Sequence, residues 1–101
     1  MEIINENNFN EIINSEYALI DFYASWCGPC KMMAPVLDKI NESRDNIKIA
    51  KVDVDKYENL ARTYGVMSIP TLILFKNGQV IDKKIGFTAE PLLVEWINNN
   101  R

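Results

Sequence analysis

Residues 18–30 read Ala-Leu-Ile-Asp-Phe-Tyr-Ala-Ser-Trp-Cys-Gly-Pro-Cys, and the architecture of the chain can be worked out from this segment. Its first part, Ala18–Tyr23, is apolar or aromatic at every position except Asp21. A short run of this kind is typical of a strand that is buried on both faces. Two cysteines, Cys27 and Cys30, follow three positions apart. The segment therefore predicts a central strand that ends beside a pair of thiols.

An amphipathic helix is predicted directly behind the second cysteine. Apolar residues recur there at i, i+4 and i+7, as they do on one face of a helix: Met33, Leu37 and Ile40. This spacing predicts a helix from Cys30 to about Ser43, kinked at Pro35 because the ring removes a backbone donor. The thiols then lie where a strand ends and a helix begins, which is where chemistry gathers in open α/β sheets.

Further strands are predicted where β-branched and aromatic residues concentrate, at residues 1–4, 47–54 and 71–76. Asn77-Gly78 is a strong hairpin signal, so residues 80–85 are expected to pair antiparallel with the strand before them.

Helices are predicted between these strands, at residues 8–14 and 57–64, with Gly65 ending the second of them. A last helix is expected to begin with Thr88 as its N-cap. Its buried stripe is predicted to comprise Leu92, Leu93, Trp96 and Ile97.

The resulting element order is βαβαβαββα. Strands that alternate with helices require parallel crossovers, and the hairpin adds an antiparallel edge. We therefore predict an α/β protein with a mixed five-stranded central sheet flanked by about four helices. At 101 residues the chain is expected to form a single domain, residues 1–101.

Composition narrows the classes of partner and of compartment. The net charge is −3 without a long basic run, which argues against nucleic acid or an anionic membrane surface as the main partner. Apolar runs are far too short to span a bilayer, and the first eight residues lack the pattern of a signal peptide. We expect a cytoplasmic protein with no membrane association.

The spacing of the cysteines favours redox chemistry over a structural role. A helix N-terminus stabilises an anion, so Cys27 can be a thiolate near neutral pH and attack a disulfide. Cys30, one turn further on, can then attack the mixed disulfide. Two structural thiols are the alternative. Zinc needs about four ligands and the chain has no histidine, so no metal site is expected, although a cluster shared between two chains stays open.

Three stretches resemble the thioredoxin family. Residues 24–32, Ala-Ser-Trp-Cys-Gly-Pro-Cys-Lys-Met, are similar to its active-site motif. Residues 64–72, Tyr-Gly-Val-Met-Ser-Ile-Pro-Thr-Leu, and 75–78, Phe-Lys-Asn-Gly, are similar to two further family stretches. The resemblance covers essentially the whole chain and implies the thioredoxin fold. One departure is Tyr23, where many family members carry tryptophan.

The resemblance also implies roles for individual residues. Four are catalytic: Cys27 as nucleophile, Cys30 as resolving thiol, Asp21 as buried carboxylate and Lys51 as its neighbour. The Ile69–Pro70 bond is expected to be cis, with the backbone of Ile69 offered to a substrate strand. An apolar docking face is predicted to comprise Trp26, Gly28, Pro29, Ile69, Pro70, Gly86 and Phe87.

Plainer alternatives exist for some of these residues. From the sequence alone, Asp21 could be a partly exposed acid at a strand end, and Lys51 an exposed strand lysine. Asp53, Asp55, Lys56 and Glu58 form a charged cluster without the spacing or glycine of a calcium loop, which predicts a solvated turn.

The function implied is general protein-disulfide reduction. The redox group would be a reversible Cys27–Cys30 disulfide with no other cofactor, recycled by a thioredoxin reductase. Expected partners are that reductase and disulfide-containing client proteins, with the chain acting as a monomer. The alternatives are an oxidase or isomerase of an oxidising compartment, a non-redox binding module, and a metal or iron–sulfur site bridging two chains.

Overall fold

A computed structural model describes residues 1–43 and 46–101 of the chain. The strands are β1 (Glu2–Ile3), β2 (Ala18–Tyr23), β3 (Lys48–Asp53), β4 (Thr71–Lys76) and β5 (Gln79–Ile85). The helices are α1 (Phe9–Ile13), α2 (Gly28–Glu42), α3 (Glu58–Thr63) and α4 (Glu90–Asn99). The predicted order of elements is confirmed.

The strands form one sheet in the order β1-β3-β2-β4-β5. β1 and β2 both run parallel to β3, whereas β4 pairs antiparallel with β2 and with β5. The mixed five-stranded sheet is therefore as predicted. β2 lies at its centre, which explains why this strand is apolar on both faces.

Two hydrophobic cores cover the two faces of the sheet. Because side chains alternate along a strand, Ile20 and Phe22 of β2 join one core and Leu19 the other. The first core also contains Phe9, Ile12 and Ile13 of α1, and the second contains Met33, Leu37 and Ile40 of α2 with Leu93 and Ile97 of α4. The predicted apolar stripe of α2 is thus buried, and α2 continues through Pro35 to Glu42.

Helix α4 differs from the prediction in two respects. Its N-cap is Ala89, in extended conformation, while the Thr88 hydroxyl lies 3.4 Å from the Gly86 carbonyl oxygen. Thr88 therefore binds the preceding loop and does not cap the helix. Leu92 is 60% exposed, because it lies about 100° around the helix from the buried Leu93.

The β4–β5 hairpin is anchored to the end of α1. Asn77 and Gly78 both have positive φ, 50° and 86°, as a type I′ turn requires. The Gly78 N–H donates to the Ile13 carbonyl at 2.8 Å, and the Asn77 N–H donates to the Ser15 carbonyl at 3.1 Å. The turn is therefore held by contacts outside the hairpin as well as by its own conformation.

Gly78→Ala is expected to lower the free energy of unfolding by about 1–2 kcal/mol. An alanine Cβ would be strained at this positive φ and would overlap Oδ1 of Asn14. The matched control is Gly28→Ala, where a Cβ meets no atom within 4 Å. Urea titrations of both variants test this, and equal stability losses would contradict it.

Candidate active site

The end of β2 and the start of α2 position the two cysteines. Cys27 is the N-cap of α2, with φ −88° and ψ 115°, and its Sγ accepts a hydrogen bond from the Cys30 N–H at 3.2 Å. Pro29 lies in the first turn, where a missing N–H costs nothing because that N–H would have no partner in the helix. The positive end of α2 therefore faces the Cys27 sulfur.

The two cysteines form a disulfide, with their Cα atoms 5.2 Å apart. Each is only 5% exposed. The Cys27 Sγ lies 3.9 Å from the Ile69 carbonyl oxygen, which brings the loop before β4 up to this sulfur. A redox-active pair at this position is reversible in principle, since thiolate attack on either sulfur opens it.

The loop before β4 has the conformation expected from the sequence, with a cis Ile69–Pro70 bond. The Gly86 N–H donates to the Pro70 carbonyl at 2.8 Å, which ties the segment after β5 to this loop. Ile69 also packs against the cluster that contains Ala24 and both cysteines. Residues from three separate parts of the sequence thus meet around the disulfide.

Asp21 lies in β2 and is 3% exposed. Its Oδ1 has no hydrogen-bond partner among the described residues. Burial raises the pKa of the Asp21 carboxyl to about 7, although the positive charge of Lys51 opposes the rise. Lys51 is the residue opposite Asp21 in the parallel β2–β3 register. The partly exposed Asp21 considered from the sequence is therefore wrong.

Lys51 borders a small cavity behind the disulfide. This cavity has a volume of about 130 Å³ and is lined by Tyr23, Ala24, Ser25, Cys30, Lys31, Ala34 and Lys51. The lysine therefore borders the same small space as Cys30, which also belongs to the buried cluster with Ala24 and Cys27.

Trp26 is 69% exposed, and its Nε1 donates to Oδ2 of Asp55 at 2.8 Å. A groove of about 200 Å³ next to it is lined by Trp26, Val54, Val66, Met67, Ser68 and Ile69. Trp26 is therefore not a core residue but one wall of an open, mainly apolar groove beside the disulfide.

Comparison with known proteins agrees with this geometry. The sequence matches the family model described as Thioredoxin over residues 1–99. The chain belongs to the thioredoxin family. A thioredoxin from Chlamydia caviae is 42% identical over 100 residues, which is 99% of this chain and 98% of that protein. A thioredoxin from Bacillus subtilis is 44% identical over 96 residues, covering 94% and 92% of the two chains.

A solved structure of a mutant thioredoxin from Halobacterium salinarum NRC-1 superimposes with a TM-score of 0.89 at 34% sequence identity. The match covers 98% of this chain and 90% of that one. Together with the Cys27–Cys30 disulfide, this membership makes the chain a thiol–disulfide oxidoreductase. The predicted family, fold and class of reaction are confirmed.

Thioredoxin-family membership also implies disulfide-containing substrates and a reductase partner. Within residues 1–43 and 46–101, no helix is both long enough and apolar enough to cross a membrane. The same residues contain no group of three or more His, Cys, Asp or Glu side chains that could hold a metal ion.

Sequence reasoning missed two features of the groove beside this thioredoxin disulfide. Asp55 lies exposed in a turn, as predicted, and it also accepts the hydrogen bond of the Trp26 Nε1, 29 residues away. Met67, which is 96% exposed, forms part of the groove wall together with Val66. No local pattern in the sequence signals either contact.

Asp21→Asn is expected to stabilise the folded protein at neutral and alkaline pH. An unfolded aspartate has a pKa of about 3.9, and the folded value is about 7. Because the folded pKa is the higher one, the Asp21 carboxyl ionises at a lower pH in the unfolded chain than in the folded one. Ionisation therefore lowers the free energy of unfolding. This loss is absent below about pH 4, grows as the pH rises, and is complete above the folded pKa. Asparagine does not ionise and therefore avoids it.

The gain should be on the order of 4 kcal/mol at pH 8 and should shrink toward pH 4. Thermal unfolding of parent and variant across this pH range measures it. Asp38→Asn, at an exposed position on α2, is the matched control for the loss of one carboxyl group. A gap that stays constant with pH would show that Asp21 ionises normally in the folded protein.

Proposed function

We propose that this chain acts as a single-domain, general reductase of protein disulfides, with Cys27 as nucleophile and Cys30 as resolving thiol. In the reduced protein the Cys27 thiolate attacks one sulfur of a client disulfide. The client S–S bond breaks, a Cys27–client disulfide forms, and the second client sulfur leaves as a thiolate. Cys30 then attacks the Cys27 sulfur, which releases the first client thiolate and closes the Cys27–Cys30 disulfide. Two electrons pass to the client.

The observation that carries this assignment is the position of the Cys27 sulfur at the positive end of α2. A thiolate there accepts the Cys30 N–H and is further stabilised by the helix dipole. Both effects favour the charged form, which is the nucleophile. Cys30 lies in the first turn of α2 with its Cα atom 5.2 Å from that of Cys27, which supports its role as the thiol that attacks the Cys27 sulfur.

Asp21 is proposed as the base that takes the proton of Cys30. A carboxyl with a pKa of about 7 can both accept and release a proton near neutral pH, which is the condition for efficient acid–base catalysis. Its neighbour Lys51 borders the same small cavity as Cys30. The buried carboxyl thus has a charged neighbour that lines the same cavity as the resolving cysteine.

The client segment is proposed to dock against the loop before β4. Extended peptides add to exposed backbone by strand pairing, and Ile69 presents its carbonyl oxygen beside the Cys27 sulfur. Trp26 and the groove beside it would receive apolar client side chains. Gly28, Pro29, Pro70 and Gly86 complete the proposed docking face around the disulfide.

The remaining partners follow from the family. A thioredoxin reductase is proposed to return the Cys27–Cys30 disulfide to the dithiol, so that no bound cofactor or metal is needed. We propose that the chain works as a monomer in the cytoplasm, without nucleic acid or membrane as a partner. The net charge of −3 supports the absence of nucleic acid and membrane as partners.

The two cysteines are expected to differ when each is replaced by serine. Cys30→Ser should accumulate mixed disulfides with client proteins, because the resolving attack is lost. Cys27→Ser should trap almost none. Non-reducing gels of a cell extract incubated with each reduced variant, with the unmodified chain as control, measure this. Equal trapping by both variants, or trapping by Cys27→Ser alone, would reverse or remove the assigned roles.

Trp26→Ala is expected to raise the KM for insulin about tenfold, a loss typical of a contact residue at the centre of an interface. Reduction of a small aromatic disulfide should change much less. Trp96→Ala is a matched control, because Trp96 also donates its Nε1 to an aspartate, Asp82, at 2.8 Å, but lies on α4. Equal effects of the two substitutions on insulin reduction would show that Trp26 acts through general stability.

A further inference from the structure

Tyr23, at the end of β2, contacts the charged neighbour of Asp21. The Lys51 Nζ lies 4.9 Å from the centroid of the Tyr23 ring. A cation within about 6 Å of an aromatic centroid is attracted by the negative face of the ring. Tyr23 and Lys51 also line the same cavity of about 130 Å³ as Cys30. Tyr23, Lys51 and Cys30 therefore border one small space.

The strand register places Asp21 in this group as well. Asp21 is opposite Lys51, and Tyr23 follows Asp21 by two residues, so all three side chains lie on the same face of the sheet. In the described part of the chain, Lys51 has no carboxylate oxygen within 4.0 Å. Oδ1 of Asp21 has no hydrogen-bond partner there either. The ammonium thus rests on the ring and not on the carboxylate opposite.

We infer that Tyr23 is a positioning residue, whose ring holds the Lys51 ammonium beside Asp21 without a direct ion pair. The importance of this for catalysis rests on the proposed role of Asp21 as base. A lysine paired directly with Asp21 would neutralise the carboxylate. A lysine extended into water would no longer stabilise the negative charge of Asp21. Because Asp21 is buried and direct pairing would require the ammonium to be desolvated as well, we expect the ammonium to extend into water when the ring is removed.

Charged groups around this cluster shift the pKa values of Tyr23 and Asp21 in different directions. Burial raises the pKa of the Tyr23 hydroxyl, and the charges of Asp53 of β3, Asp21 and Tyr57 raise it further. From α2, Cys30 and Lys31 border the cavity. Lys51 is the group that lowers the pKa of Asp21 against the effect of burial. A change in the position of its ammonium should therefore be visible in the titration of Asp21.

The test is a carbon-13 NMR titration of the Asp21 carboxyl in the oxidised protein. Tyr23→Phe keeps the ring and Tyr23→Leu removes it, and each is made with Lys51 present and with Lys51→Met. With Lys51 present, Tyr23→Leu should lower the acid dissociation constant of Asp21 about twofold, as expected for one weakened charge contact. Tyr23→Phe should leave it unchanged. In the Lys51→Met background, Tyr23→Leu should leave the acid dissociation constant of Asp21 unchanged.

The inference is overturned if Tyr23→Leu changes the titration equally in both backgrounds, or if it strengthens the acid when Lys51 is present. An equal effect of Tyr23→Phe and Tyr23→Leu would assign the effect to the hydroxyl and also overturn it. If Tyr23→Leu does not fold, the proton NMR spectrum of the unmodified chain tests the contact. The protons on Cε of Lys51 should be shifted upfield by the ring, and an unshifted resonance contradicts the contact.

These outcomes are independent of the proposed function. The titration uses oxidised protein and involves no client, so failure of the cysteine trapping experiment would leave it valid. Conversely, a Tyr23 ring without influence on Asp21 would leave the roles of Cys27 and Cys30 unchanged.

Discussion

The contact between the Cys27 sulfur and the first turn of α2 is the interaction on which the site depends. The Cys30 N–H donates to this sulfur at 3.2 Å, and the partial positive charge of the helix N-terminus adds to it. This geometry requires β2 to end immediately before α2 begins. The position of β2 is fixed in turn by its burial between the two cores and its pairing with β3 and β4. The sheet centre therefore determines where the sulfur lies.

Asp21 shows that the same burial has a cost. A carboxyl at the centre of the sheet is desolvated, and its pKa rises to about 7. Above that pH the folded protein carries a buried charge that the unfolded chain would carry in water, which lowers its stability. A carboxyl that changes its protonation near neutral pH is, however, the property that proton exchange with a thiol requires. Stability and catalysis thus make opposite demands on this residue.

Local sequence patterns were sufficient for the elements and for the position of the thiols. The run in β2, the helical spacing behind Cys30 and the Asn77-Gly78 turn each reflect backbone and burial preferences over a few residues. The start of α4 was wrong, because Thr88 binds the Gly86 loop and Ala89 takes the N-cap position. The sequence of the helix cannot show that a carbonyl in the preceding loop competes for the Thr88 hydroxyl.

Contacts between distant segments could be predicted only by resemblance, or not at all. The approach of Ile69 to Cys27 spans 42 residues, and the family motif suggested it. The hydrogen bond from Trp26 to Asp55 and the contact of Lys51 with the Tyr23 ring had no such signal. Both depend on the register of β3 beside β2, which sets side chains opposite each other only after the sheet has formed.

The central claim is that the start of α2 makes Cys27 the reactive thiolate. Its most direct test is the rate of alkylation of the reduced protein by iodoacetamide as a function of pH, with the labelled cysteine identified by mass spectrometry. The account predicts that Cys27 is labelled first and that its rate rises through a pKa well below the value of about 8.5 for a free cysteine. Labelling of Cys30 first, or a rate profile like that of a free cysteine, would contradict it.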